Sequence, residues 1–420
     1  MTPGPAAAPV SEEAPGRWRI LALLATAELL GMSLWFVGNA VAGELGARWG
    51  LGVAEKGGLT TAVQLGFVAG TALSAVLNLA DLLPARRYFA VSAFLAALAN
   101  AALLAAPSFA LALLCRFATG LCLAGVYPPA MKMTATWFRS DRGLAIGTVV
   151  GALTVGKAAP WLLAAVPGIG LEGTVLAASA GAVSAALLVG LGYREGPFEF
   201  PRRAFDWRLV AAIVRHRETR LATAGYLGHM WELYAMWTWV PAFLAASAAA
   251  ATAAAAGGDG AGGSARTVGA LSFGVIAAGG LGCIWGGWAA RRIGYARVVT
   301  YAMRASAICC LGIGLLFGRS LWLVGAVALV WGFFVVADSA QFSAMVTEVA
   351  PPHAVGTALT LQTSVGFLLT MATIQGIPLL AERLGWRLAF PLLALGPALG
   401  LVAIARLQRR ATFGTASGPR

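Results

Sequence analysis

Residues 116–160 read RFATGLCLAGVYPPAMKMTATWFRSDRGLAIGTVVGALTVGKAAP. The pattern is two apolar helices joined by a short basic turn around Arg139 and Arg142. The first is predicted over 108–134 and the second over 142–167. Each reaches the ~20 residues, at ~1.5 Å apiece, that a helix needs to cross a hydrocarbon core. Each also holds a cation that a lipid-facing anchor would avoid, Arg116 in the first and Lys157 in the second. An intramembrane charge costs several kcal/mol and usually faces a bundle interior or a watery cavity. By helical rise, Arg116 lies ~12 Å below one surface and Lys157 has climbed ~22 Å of a ~30 Å core from the other. The two cations therefore fall at similar depth on adjacent helices and are expected to line one polar cavity. The alternatives are a structural bridge from Arg116 to a carboxylate and an outward-snorkelling Lys157. Gly143, Gly147 and Gly151 recur at four-residue spacing, which lets helix backbones approach closely in lipid.

Composition sets the class of protein. The chain has 420 residues, of which 59% are hydrophobic and 11% charged. Its mean hydropathy of +0.78 excludes a soluble domain of this length. A formal charge of +13 would suggest nucleic acid in a soluble protein; here it reflects arginine-rich loops, and no nucleic-acid partner is expected. The five cysteines sit in apolar runs without metal-type spacing, so they are read as packing residues. No nucleotide loop, metal cluster or nucleophile–base pairing is evident, so neither a cofactor nor an enzymatic activity is expected.

Twelve spans are predicted: 18–41, 57–80, 86–106, 108–134, 142–167, 171–193, 219–245, 267–290, 296–317, 320–347, 354–381 and 385–407. The expected fold is an all-α membrane protein of twelve transmembrane helices in two six-helix, pseudo-symmetric halves. The halves run over 18–193 and 219–408, around a basic central loop at 194–218. Residues 1–17 and 409–420 are expected to be tails, the first disordered and lacking the basic start of a signal peptide. The low-complexity stretch 246–265 is expected to be a flexible loop outside the cytoplasm. Arginines concentrate in alternate loops, which places both termini in the cytoplasm; the expected location is a bacterial inner membrane.

The halves repeat one another. Ala130-Met131 is echoed by Ala344-Met345, and Arg86-Arg87 after span 2 by Arg291-Arg292 after span 8. Such duplication marks a transporter. Six plus six spans, a long central loop and basic turns after spans 2 and 8 resemble the major facilitator superfamily. Its loop motif appears in altered form at Asn78–Arg87, with Asp81, Arg86 and Arg87, and again at Gly287–Gly294, with Arg291 and Arg292. The resemblance implies alternating access around a midplane substrate, with these residues and Asp338 forming a cytoplasmic gate. Asp338 is expected to pair with a loop arginine. The segments Tyr127–Lys132 and Ala337–Ser343 are similar to proteins labelled nitrate/nitrite-porter-like or cyanate-permease-like. Nitrate porters carry an arginine inside spans 2 and 8, and these spans have none, which argues against nitrate itself.

The remaining polar residues give the candidate site. Glu28 falls ~15 Å into span 1, near the midplane, with Trp35 and Asn39 on roughly its face. A midplane carboxylate suits proton coupling, as does the pair His229 and Glu232 on one face of the aromatic span 7. Arg116, Lys157, Tyr127, Gln64, Trp231 and Thr363 are the expected substrate-binding residues. The leading expectation is a monomeric secondary transporter of a small solute, an anion, with H⁺ as coupling ion and lipids as its surroundings. The alternatives are an exporter of amphiphilic or drug-like compounds and, from another class, a membrane receptor or enzyme.

Overall fold

The computed structural model describes residues 14–77, 79–139, 141–198, 206–254 and 261–409, without the side chains of 80, 81, 254 and 261–265. Expectations for 1–13, 199–205, 255–260 and 410–420 fall outside the described residues. Among the described residues, eleven helices are long and apolar enough to cross a membrane. They are spans 2 to 12: Val53–Val76, Ala85–Ala105, Phe109–Ala135, Arg142–Ala164, Gly170–Gly192, Arg217–Ala253, Arg266–Ile293, Tyr295–Leu316, Leu321–Val349, Pro352–Leu384 and Trp386–Gln408. Span 1 is the twelfth element and is broken into Arg17–Met32, Val37–Ala40 and Ala42–Trp49. The chain is thus an all-helical, multi-pass membrane protein.

Alanine composition explains one departure from expectation. The stretch 246–265 is not a simple loop, because helix Arg217–Ala254 runs into it from one side and helix Ala261–Ile293 from the other. Alanine is the strongest helix former, and a run of it extends a helix rather than ending one. The central loop likewise contains a helix, Trp207–Arg215, opened by Asp206, whose carboxylate accepts from the Arg208 amide at 2.9 Å.

Glycine sets the packing inside each half. A Cβ at Gly66 would lie 1.9 Å from the Phe117 carbonyl, and one at Gly120 would lie 1.9 Å from that of Val63. Spans 2 and 4 therefore touch backbone to backbone. Spans 8 and 10 do the same: a Cβ at Gly282 would meet Phe333 O at 2.0 Å and one at Gly332 would meet Val275 O at 1.9 Å. The same close crossing stands in both halves, the structural form of the sequence repeat.

The halves meet along two seams. Gly147 and Gly151 of span 5 face span 8, where added Cβ atoms would lie 3.1 Å from Cys283 O and 2.8 Å from Gly280 O. Between spans 2 and 11, Thr370 donates to Gln64 Oε1, and Gln375 donates to Thr61 Oγ1 at 2.9 Å.

Among the described residues, spans 1, 4 and 10 break in mid-course. Span 4 stops at Leu123 and restarts at Tyr127, where Pro128 and Pro129 occupy the first turn, a position that tolerates proline. Span 10 breaks at Asp338, the corresponding place in the second half. Span 1 breaks at Ser33–Phe36. This undoes the helical-face argument that grouped Glu28, Trp35 and Asn39, because Trp35 lies in the turn that separates the other two. Asn39 instead accepts a hydrogen bond from Thr60.

Candidate substrate and coupling site

Arg116 holds the span 1 break. It is fully buried. One terminal nitrogen donates to Asn100 Oδ1 at 2.8 Å; the other donates to Leu34 O at 2.9 Å and Trp35 O at 2.6 Å. Carbonyls in a helix break lack their regular intrahelical partners; one end of the guanidinium fork serves two of them while the other end reaches Asn100. Arg116 is thus directed at backbone carbonyls and an amide, and its hydrogen bonds go to neither a carboxylate nor the lysine site.

Lys157 sits where the halves meet. Its Nζ donates to Tyr234 Oη of span 7 at 2.6 Å. It lies 4.1 Å from the Trp35 ring centre, 4.8 Å from Tyr234 and 5.3 Å from Trp237. The side chain is 3% exposed, so it does not snorkel. Removing an ammonium from water costs several kcal/mol. Desolvated cation–π contacts of about 2 kcal/mol each and a charge-assisted hydrogen bond of about 1.5–3 kcal/mol offset that cost. Trp35 joins the two cations, its carbonyl on Arg116 and its ring under Lys157.

Around the lysine the rings form one cluster drawn from both halves. Trp35 meets Phe67 at 5.2 Å, Tyr234 at 5.7 Å and Phe367 at 6.0 Å, while Phe67 and Phe367 stand 4.9 Å apart. Several polar atoms at this level are buried without a hydrogen-bond partner: the indole nitrogens of Trp35 and Trp237, and Gln64 Nε2. All three are donors. Glu28 is fully buried, and neither of its carboxylate oxygens accepts a hydrogen bond. Lys157 is its charged neighbour, and Tyr127 also feels its charge.

The other candidate residues lie elsewhere. His229 Nδ1 is 2.9 Å from Asp338 Oδ1, off the line of a hydrogen bond, and its Nε2 is 2.8 Å from Ser339 Oγ. Asp338 therefore pairs with His229 rather than with a loop arginine, because the span continues to Val349 and leaves Asp338 inside the bundle. Glu232 Oε1 accepts from Ser306 at 2.7 Å and from Trp331 Nε1 at 2.5 Å. Its face of span 7, shared with His229, turns into the second half, whereas Tyr234 and Trp237 turn to the seam. Trp231 packs on Gly396 of span 12, away from Lys157. Thr363 lies beside Tyr226 of span 7.

At the basic end of the bundle, Asp141 joins the halves. Its carboxylate accepts from Arg291 at 3.0 Å and from Arg17 at 3.4 Å. The Asp81 side chain lies outside the described residues. Arg86 is half-buried, Arg87 is exposed, and Arg292 stacks on Trp288 at 4.2 Å. Sequence reading passed over Asp141, although it is the one acid in the basic turn Arg139–Arg142. It also passed over Phe67 and Phe367, which a repeated Gly-Phe pair in spans 2 and 11 marks.

The family model of the Major Facilitator Superfamily matches residues 23–374. No curated protein sequence matches the chain. Among solved structures, a bacterial homologue of the human lysosomal transporter Spinster, captured inward-facing and occupied, is similar with a TM-score of 0.66 at 14% identity. The match covers 94% of this chain and 98% of that one. A mutant of the nucleoside transporter NupG matches with a TM-score of 0.68 at 14% identity, over 92% of this chain and 99% of that one. The chain belongs to the major facilitator superfamily and is a transporter rather than an enzyme.

Proposed function

We propose that this transporter moves a small anion together with a proton, with Lys157 receiving the anion and Glu28 the proton. The observation that carries the reading is the placement of Lys157 at the seam, bonded to Tyr234 of the opposite half at 2.6 Å and ringed by rings whose N–H donors have no partner. A cation among unused donors suits an anion. Lys157 is also the charged neighbour of Glu28, whose oxygens are unbonded. An anion seated on Lys157 leaves the pair with one uncompensated negative charge, which burial penalises. A proton on Glu28 removes that charge, so the two ligands favour each other's binding. His229 and Glu232 are secondary coupling candidates within the second half.

Access requires the halves to part, because Lys157 and its rings are buried. Asp141, with Arg17 and Arg291, closes the basic end in this reading; the arginine-rich loops favour the cytoplasm for that end, and the membrane is taken as a bacterial inner membrane. The likeness to nitrate/nitrite-porter-like and cyanate-permease-like proteins fits a small anion. The terminal nitrogens of Arg116 are committed to Asn100 and two carbonyls, so Lys157 is the cation at the rings, which favours a monoanion. A second reading, export of an amphiphile, is favoured by the aromatic cluster of Trp35, Phe67, Tyr234 and Phe367.

The test is flux into liposomes carrying an internal pH dye, with protein-free liposomes subtracted. Nitrate, nitrite, cyanate, short carboxylates and benzoate are screened against wild type, Lys157→Met and Glu28→Gln. Anion-driven acidification lost in both variants supports the reading. Unchanged acidification in both sinks the assignment, and dye efflux without anion flux favours the exporter.

A further inference from the structure

We propose that the Lys157 site selects a monoanion with a flat aromatic body, an aromatic carboxylate rather than a bare inorganic anion or an aliphatic acid. The inference rests on the anion reading above and adds to it the shape and surface of the substrate.

Five rings surround the lysine level, Trp35 and Phe67 from the first half and Tyr234, Trp237 and Phe367 from the second. Each of them is less than a tenth exposed. Opening the seam separates Phe67 from Phe367, now 4.9 Å apart, and Trp35 from Tyr234 and Phe367. Each separation forfeits a ring–ring contact. A bare anion on Lys157 restores none of them. An aromatic ring seated between Phe67 and Phe367 exchanges one such contact for two, and these contacts depend on the π faces rather than on area alone. The carboxylate of the same molecule reaches Lys157 Nζ, with the indole N–H groups of Trp35 and Trp237 as its buried, unused donors. A second charge on the ligand would find no cation at the rings besides Lys157, because both terminal nitrogens of Arg116 are taken by Asn100, Leu34 and Trp35.

The experiment compares benzoate with cyclohexanecarboxylate, which matches it in size and charge but lacks a π face, alongside acetate and nitrate. Binding to the purified full chain is read as ligand-induced thermal stabilisation, in wild type, Phe367→Leu, Phe67→Leu and Lys157→Met. Wild type is expected to bind benzoate about tenfold more tightly than cyclohexanecarboxylate. Either phenylalanine variant should reduce that ratio towards one while leaving cyclohexanecarboxylate binding in place. Equal binding of the two rings, or acetate or nitrate binding as tightly as benzoate, with all binding lost in Lys157→Met, overturns the inference and leaves the anion reading standing. Absence of any Lys157-dependent binding overturns both. The wild-type ratio decides the question even where a variant fails to fold.

Discussion

Lys157 and Tyr234 meet at 2.6 Å across the boundary between the two halves, a charge-assisted hydrogen bond between spans 5 and 7 with no water-exposed side. The bond ties closure of the molecule to the residue proposed to receive substrate. An anion that takes over Lys157 releases Tyr234 and so loosens the seam. Tyr234→Phe should therefore favour separated halves by about 1.5–3 kcal/mol, the value of a hydrogen bond to a charged group. Spin-label distance distributions across the seam are expected to broaden towards longer distances, without substrate added.

Arg116 and Lys157 should part company on mutation. Arg116→Ala strands Asn100 Oδ1 and the Trp35 carbonyl, each at a cost of about 1–3 kcal/mol, and leaves Leu34 O only the 3.5 Å bond from the Val37 amide. The melting temperature should fall sharply. Arg116→Lys should rescue it poorly, because an ammonium lacks the planar fork whose two ends reach Asn100 and the carbonyl pair. Lys157→Met should keep the fold and lose anion binding. Thermal unfolding and binding measured on the same samples separate the two roles.

These roles mark how far the sequence could be read. Twelve spans, their basic turns and the repeat were legible because bilayer thickness and backbone satisfaction leave few options. The depth argument paired Arg116 with Lys157 from helical rise alone. It could not tell where their side chains point. The span 1 break decides that, by turning two carbonyls towards Arg116 and the Trp35 ring towards Lys157. No proline marks this break, so helical periodicity ran straight through it. Span 7 misled for a related reason. It carries two polar faces, and the titratable His229–Glu232 face stood out in sequence, while the Tyr234–Trp237 face meets the other half.

Asp141 should act as a weak, salt-sensitive latch. Its partner Arg291 is about half exposed, so the pair is worth about 0.2–1 kcal/mol. Asp141→Asn should raise labelling of cysteines placed near the basic end by a few-fold at low ionic strength, and by less at high salt. The charge-swapped pair Asp141→Arg with Arg291→Asp should recover part of the closure.

The glycine contacts give a contrast within one residue type. Gly66→Ala and Gly120→Ala place a methyl 1.9 Å from a backbone carbonyl, so spans 2 and 4 must move apart. Overpacking of this kind costs about 1–3 kcal/mol, and the yield of folded protein should drop. Gly376→Ala, inside span 11 with nothing within 4 Å of its added Cβ, should stabilise by about 0.4–1 kcal/mol. Melting curves of the three variants check the ordering.

The division of labour between Lys157 and Glu28 is tested most directly by counting protons taken up per anion bound, using purified protein in weakly buffered detergent with a pH dye. Wild type should take up one proton with each anion. Glu28→Gln should still bind the anion with no proton uptake, and Lys157→Met should bind neither. Proton uptake that persists in Glu28→Gln, or anion binding unchanged in Lys157→Met, would contradict the account.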